Sequence, residues 1–318
     1  MKRTRYQGKI DSKMSSQRDN DLIIRVLELK KERNAVILSH NYQRGEVQDI
    51  ADFVGDSLEL SQKAVKTDAD VIVFCGVHFM AETASILNPH KTVLLPDAGA
   101  GCPMANMITA DQLRKKKTEL PNATVVTYIN STAAVKAESD YCCTSANGVK
   151  VVSQIENDEI IFVPDQYLGD FIARRTGKTL TLWPGYCPTH VRILPEDITN
   201  RKREHPGAKV VVHPECRPDV IALADEALST SGIIRYAARE DVKELIVGTE
   251  VEILHRLNKE YPGKKFIAAS KKAVCPNMKK ITLDKIVESL ETMTPEVKVP
   301  EEIRIKARAC VDRMLAIV

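Results

Sequence analysis

Val36-Ile37-Leu38-Ser39-His40-Asn41-Tyr42 is an apolar, β-branched run that ends in a polar triplet, and the chain writes this pattern twice more. Val125-Val126-Thr127 leads into Tyr128-Ile129-Asn130, and Val210-Val211-Val212 leads into His213-Pro214-Glu215. The triplets start 88 and 85 residues apart. Ser57, Ser145 and Thr230 follow at the same spacings of 88 and 85, and Cys102, Cys187 and Cys275, each before a proline, stand 85 and 88 apart. Three landmarks on one period indicate a triplicated structural unit.

Each unit reads alike. A helix opens it (21–31, 109–117, 196–205), with a capping-box signal at Thr109-Ala110-Asp111-Gln112. The first strand, a helix such as 45–53 and a short second strand then lead to the Ser/Thr landmark. A further helix precedes the third strand (71–75, 160–163, 245–247), and another precedes the fourth (92–95, 179–183, 265–268), after which the cysteine loop closes the unit. Strands alternating with helices predict parallel sheets joined by right-handed crossovers. The expected fold is α/β: three pseudo-threefold-related repeats, each a short parallel β-sheet sandwiched by helices, with the active site at their central junction. The expected boundaries are a flexible tail at 1–20, repeats at 21–106, 107–192 and 193–280, and C-terminal helices at 281–318. The last helix carries Ile303, Ala307, Val311, Met314, Leu315 and Val318 on one face and should pack back on the repeats.

A net charge of +3 over 318 residues gives no electrostatic argument for a nucleic-acid partner. The basic runs 115–117 and 201–203 read as solvated helix faces. No apolar run approaches the ~18–20 residues of a membrane span, and residues 1–20 lack the apolar core of a signal peptide. A cytoplasmic location follows, in which eight cysteines suggest metal chemistry rather than disulfides.

Ligands of parallel sheets bind beyond the carboxyl ends of the strands, and every landmark lies at such an end. His40, Tyr128 and His213 follow first strands. Ser57, Ser145 and Thr230 follow second strands, where they read as helix N-caps at anion-binding helix starts. Asp165 and Glu250 follow third strands, and the cysteines follow fourth strands. Around a threefold axis this places three thiolates at one end of a cavity, a donor set that suits iron–sulfur or zinc and leaves one position open. Cys75, Cys142, Cys143, Cys216 and Cys310 lack threefold counterparts and read as core. His78 and His190 rank below His40 and His213, and His90, His205 and His255 read as surface residues. Pro214 favours an extended backbone at His213, which would aim His213 and Glu215 to one side.

From about residue 21 to 318 the chain resembles the quinolinate synthase family. The resemblance rests on Ser39-His40-Asn41-Tyr42, Val54-Gly55-Asp56-Ser57-Leu58-Glu59-Leu60-Ser61, Gly99-Ala100-Gly101-Cys102-Pro103-Met104-Ala105, Tyr128-Ile129-Asn130-Ser131, Thr144-Ser145-Ala146-Asn147, Val212-His213-Pro214-Glu215-Cys216 and Val247-Gly248-Thr249-Glu250. It implies a 4Fe-4S cluster on Cys102, Cys187 and Cys275, and condensation of iminoaspartate with dihydroxyacetone phosphate to quinolinate in NAD biosynthesis, with loss of phosphate and two waters. An aspartate-oxidising enzyme would supply the imine. The implied roles are acid/base catalysis at Glu215 with His213 and His40, orientation of substrate by Tyr42, Tyr128 and Asn130, and anion binding at Ser57, Ser145 and Thr230. Where the family often has Ser-Thr-Gly-Gly, this chain has Ser229-Thr230-Ser231-Gly232.

Two other readings compete. The diphthamide-synthesis family also places one cysteine per repeat on a 4Fe-4S cluster, for radical S-adenosylmethionine chemistry, but the three polar triplets argue against it. No clustered Cys-x3-Cys-x2-Cys is present. A non-catalytic three-cysteine metal or redox sensor belongs to a different class, since three cysteines alone do not name the metal.

Overall fold

The computed structural model describes the backbone of residues 4–317 and the side chains of residues 17–317. Its strands form three separate sheets. The first holds β1 (Ala35–His40), β2 (Phe53–Gly55), β3 (Val71–Cys75) and β4 (Thr92–Leu94). The second holds β5 (Thr124–Tyr128), β6 (Tyr141–Cys143), β7 (Ile160–Val163) and β8 (Leu180–Leu182). The third holds β9 (Lys209–Val212), β10 (Glu226–Ala227), β11 (Glu244–Gly248) and β12 (Lys265–Ala268). Within each sheet the strands lie in the order second, first, third, fourth, and all pair in parallel. The threefold repetition read from the spacing is the architecture of the molecule.

The central strands explain why the apolar runs do not alternate. β3 and β7 are buried at every residue, as expected for parallel strands covered by helices on both faces. In each sheet the chain leaves the first strand towards one edge and returns to the other side of it for the third. A crevice therefore opens between the carboxyl ends of the first and third strands, the switch point where doubly wound sheets take their ligands. His40, Tyr128 and His213 stand at or just beyond one lip, and Asp165 and Glu250 just beyond the other in the second and third sheets.

The first helix spans Thr4–Glu32 and so runs through most of the stretch read as a tail. No proline interrupts residues 4–32, so nothing local stops the helix. Arg18 lies 2.5 Å from Asp284 and Arg25 2.9 Å from Glu291, which ties this helix to the helix Leu283–Thr292. The last helix, Glu301–Ala316, buries Ala307, Cys310, Val311 and Met314, while Val318 lies outside the described residues. This helix is held to the second repeat by Asn147, whose Nδ2 donates to the carbonyls of Met314 (3.2 Å) and Ile317 (3.1 Å). Thr109 and Gln112 form the expected reciprocal cap. Among the described residues no helix is long and apolar enough to cross a membrane.

Candidate functional site

All twelve candidate residues line one cavity of about 220 Å³. Every repeat contributes a cysteine, a helix-start hydroxyl and a first-strand-end residue to it.

The three cysteines are built alike. Each is half-buried, whereas the other five are buried. Each precedes a single 3₁₀ turn: Met104–Asn106, His190–Arg192 and Met278–Lys280. The turn aims two backbone N–H groups at the sulfur, from Met104 and Ala105 at Cys102, Thr189 and His190 at Cys187, and Asn277 and Met278 at Cys275. Burial works the other way and pushes the Cys102 thiol up to about 12, with Cys187 and Cys275 also raised. Cys102 also feels Cys275, and Cys187 feels Cys102. Three sulfurs in one cavity, each with the same pair of N–H donors, suit a metal centre: the donors stabilise thiolate charge that bare burial disfavours. The donor set fits a three-cysteine cluster. In addition, Cys187, His190 and Glu215 each offer a ligand atom within 4.8 Å of one another, a group that could hold a metal ion.

The hydroxyls line the cavity, but they are not the caps. Asp56 caps the helix Ser57–Lys66, accepting from the N–H groups of Leu58 (3.0 Å) and Glu59 (2.9 Å). Ser229 caps Thr230–Ala237 by accepting from Gly232 at 3.2 Å. Ser145 precedes Asn147, the residue before the helix Gly148–Ser153. In the first and third repeats the capping load thus falls on neighbours, while Asn147 makes no side-chain cap bond. Thr230 Oγ1 accepts from Asn41 at 2.9 Å and Ser145 Oγ lies 3.1 Å from His213 Nε2. Ser231, at the departure from the family pattern, donates to Asp56 and so bonds the third repeat to the first.

The backbone after His213 is not extended. Cys216 N–H donates to the His213 carbonyl at 2.9 Å, closing a turn, and Glu215 N–H reaches His213 Nδ1 at 3.3 Å. The first repeat does the same: Gln43 N–H bonds the His40 carbonyl and Tyr42 N–H bonds His40 Nδ1 at 3.1 Å. Turn-forming bonds satisfy buried N–H groups that a straight strand end would leave unpaired, and Pro214 occupies the second position of its turn, where proline is favoured. They also make Nδ1 the acceptor, so each neutral ring carries its proton on Nε2. Burial pushes both histidines down to about 3, against the pull of Glu215.

Glu215 sits at the centre. Burial opposes its ionisation, but the His190 and His213 rings and the donors of His190 and Tyr128 outweigh that, holding the carboxyl well below the usual range. Tyr128 donates to Glu215 Oε1 at 2.5 Å and Asn130 Nδ2 lies 3.5 Å from the same oxygen. His190 Nδ1 lies 2.8 Å from Oε2 and 3.2 Å from Cys187 Sγ. His190, ranked low from the sequence, is a core member of the site. Its Nε2 lies 2.8 Å from Thr249 Oγ1, which also meets the Tyr42 hydroxyl at 2.5 Å. Burial, then Glu215, raise Tyr42 and Tyr128 well above 10, so both remain proton donors. Burial and the Glu215 charge also raise Asp165, whose Oδ1 caps Gln166–Thr176. Glu250 accepts from Cys275 N–H at 3.1 Å and pairs with Lys279 at 2.9 Å, which steadies the third cysteine loop. His205 and His255 sit outside the cavity, 3.4 Å from Glu244 and 3.0 Å from Asp49.

Lys136 supports the second repeat from beneath. It is fully buried, and its ammonium donates to the carbonyls of Ile129 (2.8 Å) and Ser131, the two residues that bracket Asn130. It also faces the Phe79 ring, 5.5 Å from the centroid.

Comparison with known proteins bears on this geometry. A family profile described as "Quinolinate synthetase A protein" matches residues 24–316. A protein of Dehalococcoides mccartyi named "Quinolinate synthase" is 63% identical over 294 residues, covering 92% of this chain and 97% of its own length. One of the same name from a Geobacter species is 60% identical, covering 91% of this chain and 95% of its own. "Quinolinate synthase 1" of Methanosarcina acetivorans is 56% identical, covering 93% and 98%.

Proposed function

This chain belongs to the quinolinate synthetase A protein family, and on that footing we propose that it condenses iminoaspartate with dihydroxyacetone phosphate to quinolinate. One phosphate and two waters leave, and the overall change is redox-neutral. The observation that carries the reading is the convergence of one cysteine from each repeat on the cavity that also holds the Glu215–His190 pair and the three hydroxyls.

Cys102, Cys187 and Cys275 would hold a 4Fe-4S cluster. When bound, the cluster supplies Lewis acidity from its open iron, which polarises a substrate oxygen and eases loss of water. Glu215 is the acid/base residue: a carboxylate bonded to an imidazole and a phenol can take up and return a proton. His213 and His40 lie beside it, His40 presenting an Nε2 proton to substrate and His213 donating its own to the Ser145 hydroxyl, 3.1 Å away. Tyr42, Tyr128 and Asn130 orient carboxylates and the forming ring. Ser57, Ser145 and Thr230 hold anionic groups. The cavity walls shield a hydrolysable imine from water. The reaction makes the protein a transferase acting in NAD biosynthesis, and an aspartate-oxidising enzyme is the natural source of its imine.

The test is an anaerobic preparation given dihydroxyacetone phosphate and iminoaspartate generated in place. Brown protein with iron and sulfide in near-equal amounts, forming quinolinate, is the expected result. Colourless protein with one zinc, and no quinolinate, would overturn the proposal in favour of a metal sensor using the Cys187, His190 and Glu215 group. Cleavage of S-adenosylmethionine without quinolinate would favour the radical reading.

A further inference from the structure

We propose that Arg192 is the capture site for the phosphate group of the triose substrate, an inference that rests on the function proposed above. Both substrates in that reading are anions, yet the cavity is poor in cations. Its lining includes three carboxylates, Asp56, Glu215 and Glu250, and Arg192 is the only lysine or arginine among the lining residues. The nearby Lys279 is already committed to Glu250 at 2.9 Å and to the Tyr42 carbonyl at 2.5 Å. The Arg192 guanidinium has no hydrogen bond, ion pair or ring contact among the described residues, only the backbone N–H being bonded, to the Thr189 carbonyl at 3.3 Å, and the residue is exposed while lining the cavity. It therefore stands at the mouth with its guanidinium unspent.

Its place in the repeat is informative. Arg192 lies five residues after Cys187, at the end of the turn His190–Arg192. The equivalent residue in the first repeat is Met107, and in the third it is Lys280, whose ammonium donates to the Gly99 carbonyl at 2.6 Å. Only the second repeat delivers an uncommitted cation, so the threefold symmetry of the cavity is broken in charge at this point.

Phosphate is the better match than either carboxylate of the imine. The diacid has the hydroxyls of Ser57, Ser145 and Thr230 to bind it. The phosphate must depart: a carbon–carbon bond forms from the enamine tautomer of the imine to the triose carbon as that carbon's C–O bond breaks, the electron pair leaves with the phosphate, the proton lost from the resulting iminium nitrogen goes to the phosphate oxygen, and the released dianion has to reach solvent. A planar guanidinium at an open rim binds such an oxyanion through two parallel N–H groups. There it can hold the ester on arrival and the free anion on exit without burying either.

The experiment compares wild type, Arg192→Gln and Arg192→Lys, all prepared anaerobically with metal content measured. Calorimetry with inorganic phosphate should show binding weakened about 10- to 100-fold in Arg192→Gln and partly restored in Arg192→Lys. The KM for dihydroxyacetone phosphate should rise by a similar factor while quinolinate, which lacks phosphate, binds as in wild type. Unchanged phosphate binding and unchanged triose-phosphate KM would overturn the assignment. Equal weakening of quinolinate and phosphate would overturn it too, since Arg192 would then serve carboxylates. If wild type binds phosphate through Arg192 yet forms no quinolinate, the anion site stands and the function proposed above falls.

Discussion

Glu215 of the third repeat stands 2.8 Å from Nδ1 of His190 in the second, with both side chains buried. The same imidazole lies 3.2 Å from Cys187 Sγ. The Glu215 carboxylate and the cysteine end of the cavity are thus one hydrogen-bonded unit that no single repeat contains. Removing the carboxylate charge while keeping its shape tests what that unit does. Glu215→Gln should fold and retain iron, yet turn over about 10²–10⁴-fold more slowly. Rapid-quench mass spectrometry should detect a condensed, undehydrated intermediate. Normal turnover with a lowered melting temperature would make Glu215 a structural ion-pair partner.

The cysteines separate by environment. Cys102, Cys187 and Cys275 each receive two backbone N–H groups and line the cavity, whereas Cys75 and Cys310 are buried away from it. Single Ala changes at the first three should abolish cluster incorporation, read as iron content and the visible absorbance of the anaerobic protein. Cys75→Ala and Cys310→Ala should retain iron. Full iron in Cys187→Ala would contradict the ligand assignment.

Because Asp56 and Ser229 carry the capping bonds, removing the neighbouring hydroxyls should leave their helices intact. Ser57→Ala should therefore unfold at nearly the wild-type temperature, Thr230→Ala somewhat lower because buried Asn41 loses its acceptor, and these two together with Ser145→Ala should bind quinolinate about ten- to a hundredfold more weakly, the worth of a hydrogen bond to a charged group. Wild-type quinolinate affinity in all three variants would show that the hydroxyls do not hold the product.

The repeat was legible because it is written in covalent spacing. Cys102, Cys187 and Cys275 keep their period whatever the fold does with them, and apolar β-branched runs declare buried parallel strands. The relationships missed are those between repeats. His190 gains its importance from Glu215, which is 25 residues away, and from Thr249, which is 59 away. Neither separation is a motif. Its position three residues after Cys187, at the start of the turn that follows each cysteine, was the available signal. The N-cap error arose because Asp56-Ser57 and Ser229-Thr230 each offer two adjacent capping residues, and composition alone does not say which side chain turns back to the helix. The extended reading of His213–Glu215 failed for a similar reason: backbone N–H groups seeking partners decided the local geometry.

Lys136 had no signal at all, since a lysine in 133–137 reads as a solvated helix residue. It is instead fully buried, and burial lowers its pKa while Cys142 and Glu82 oppose the shift. Burying an ammonium is costly, and here the return is geometric. Its bonds to the carbonyls of Ile129 and Ser131 fix the turn that carries Asn130 and follows Tyr128, both of which meet Glu215. In Lys136→Met the methylene stem is largely replaced but both carbonyls lose their donor, so the turn should relax. A small displacement of positioned groups can cost up to about 100-fold in rate. The expected outcome is a fall in kcat of about 10- to 100-fold, with iron content kept and the KM for dihydroxyacetone phosphate little changed. A bland packing role predicts a different pattern, namely a lower melting temperature with kcat intact below it. Measuring kcat well under the melting temperature of the variant therefore decides whether Lys136 positions Tyr128 and Asn130 or merely fills the core.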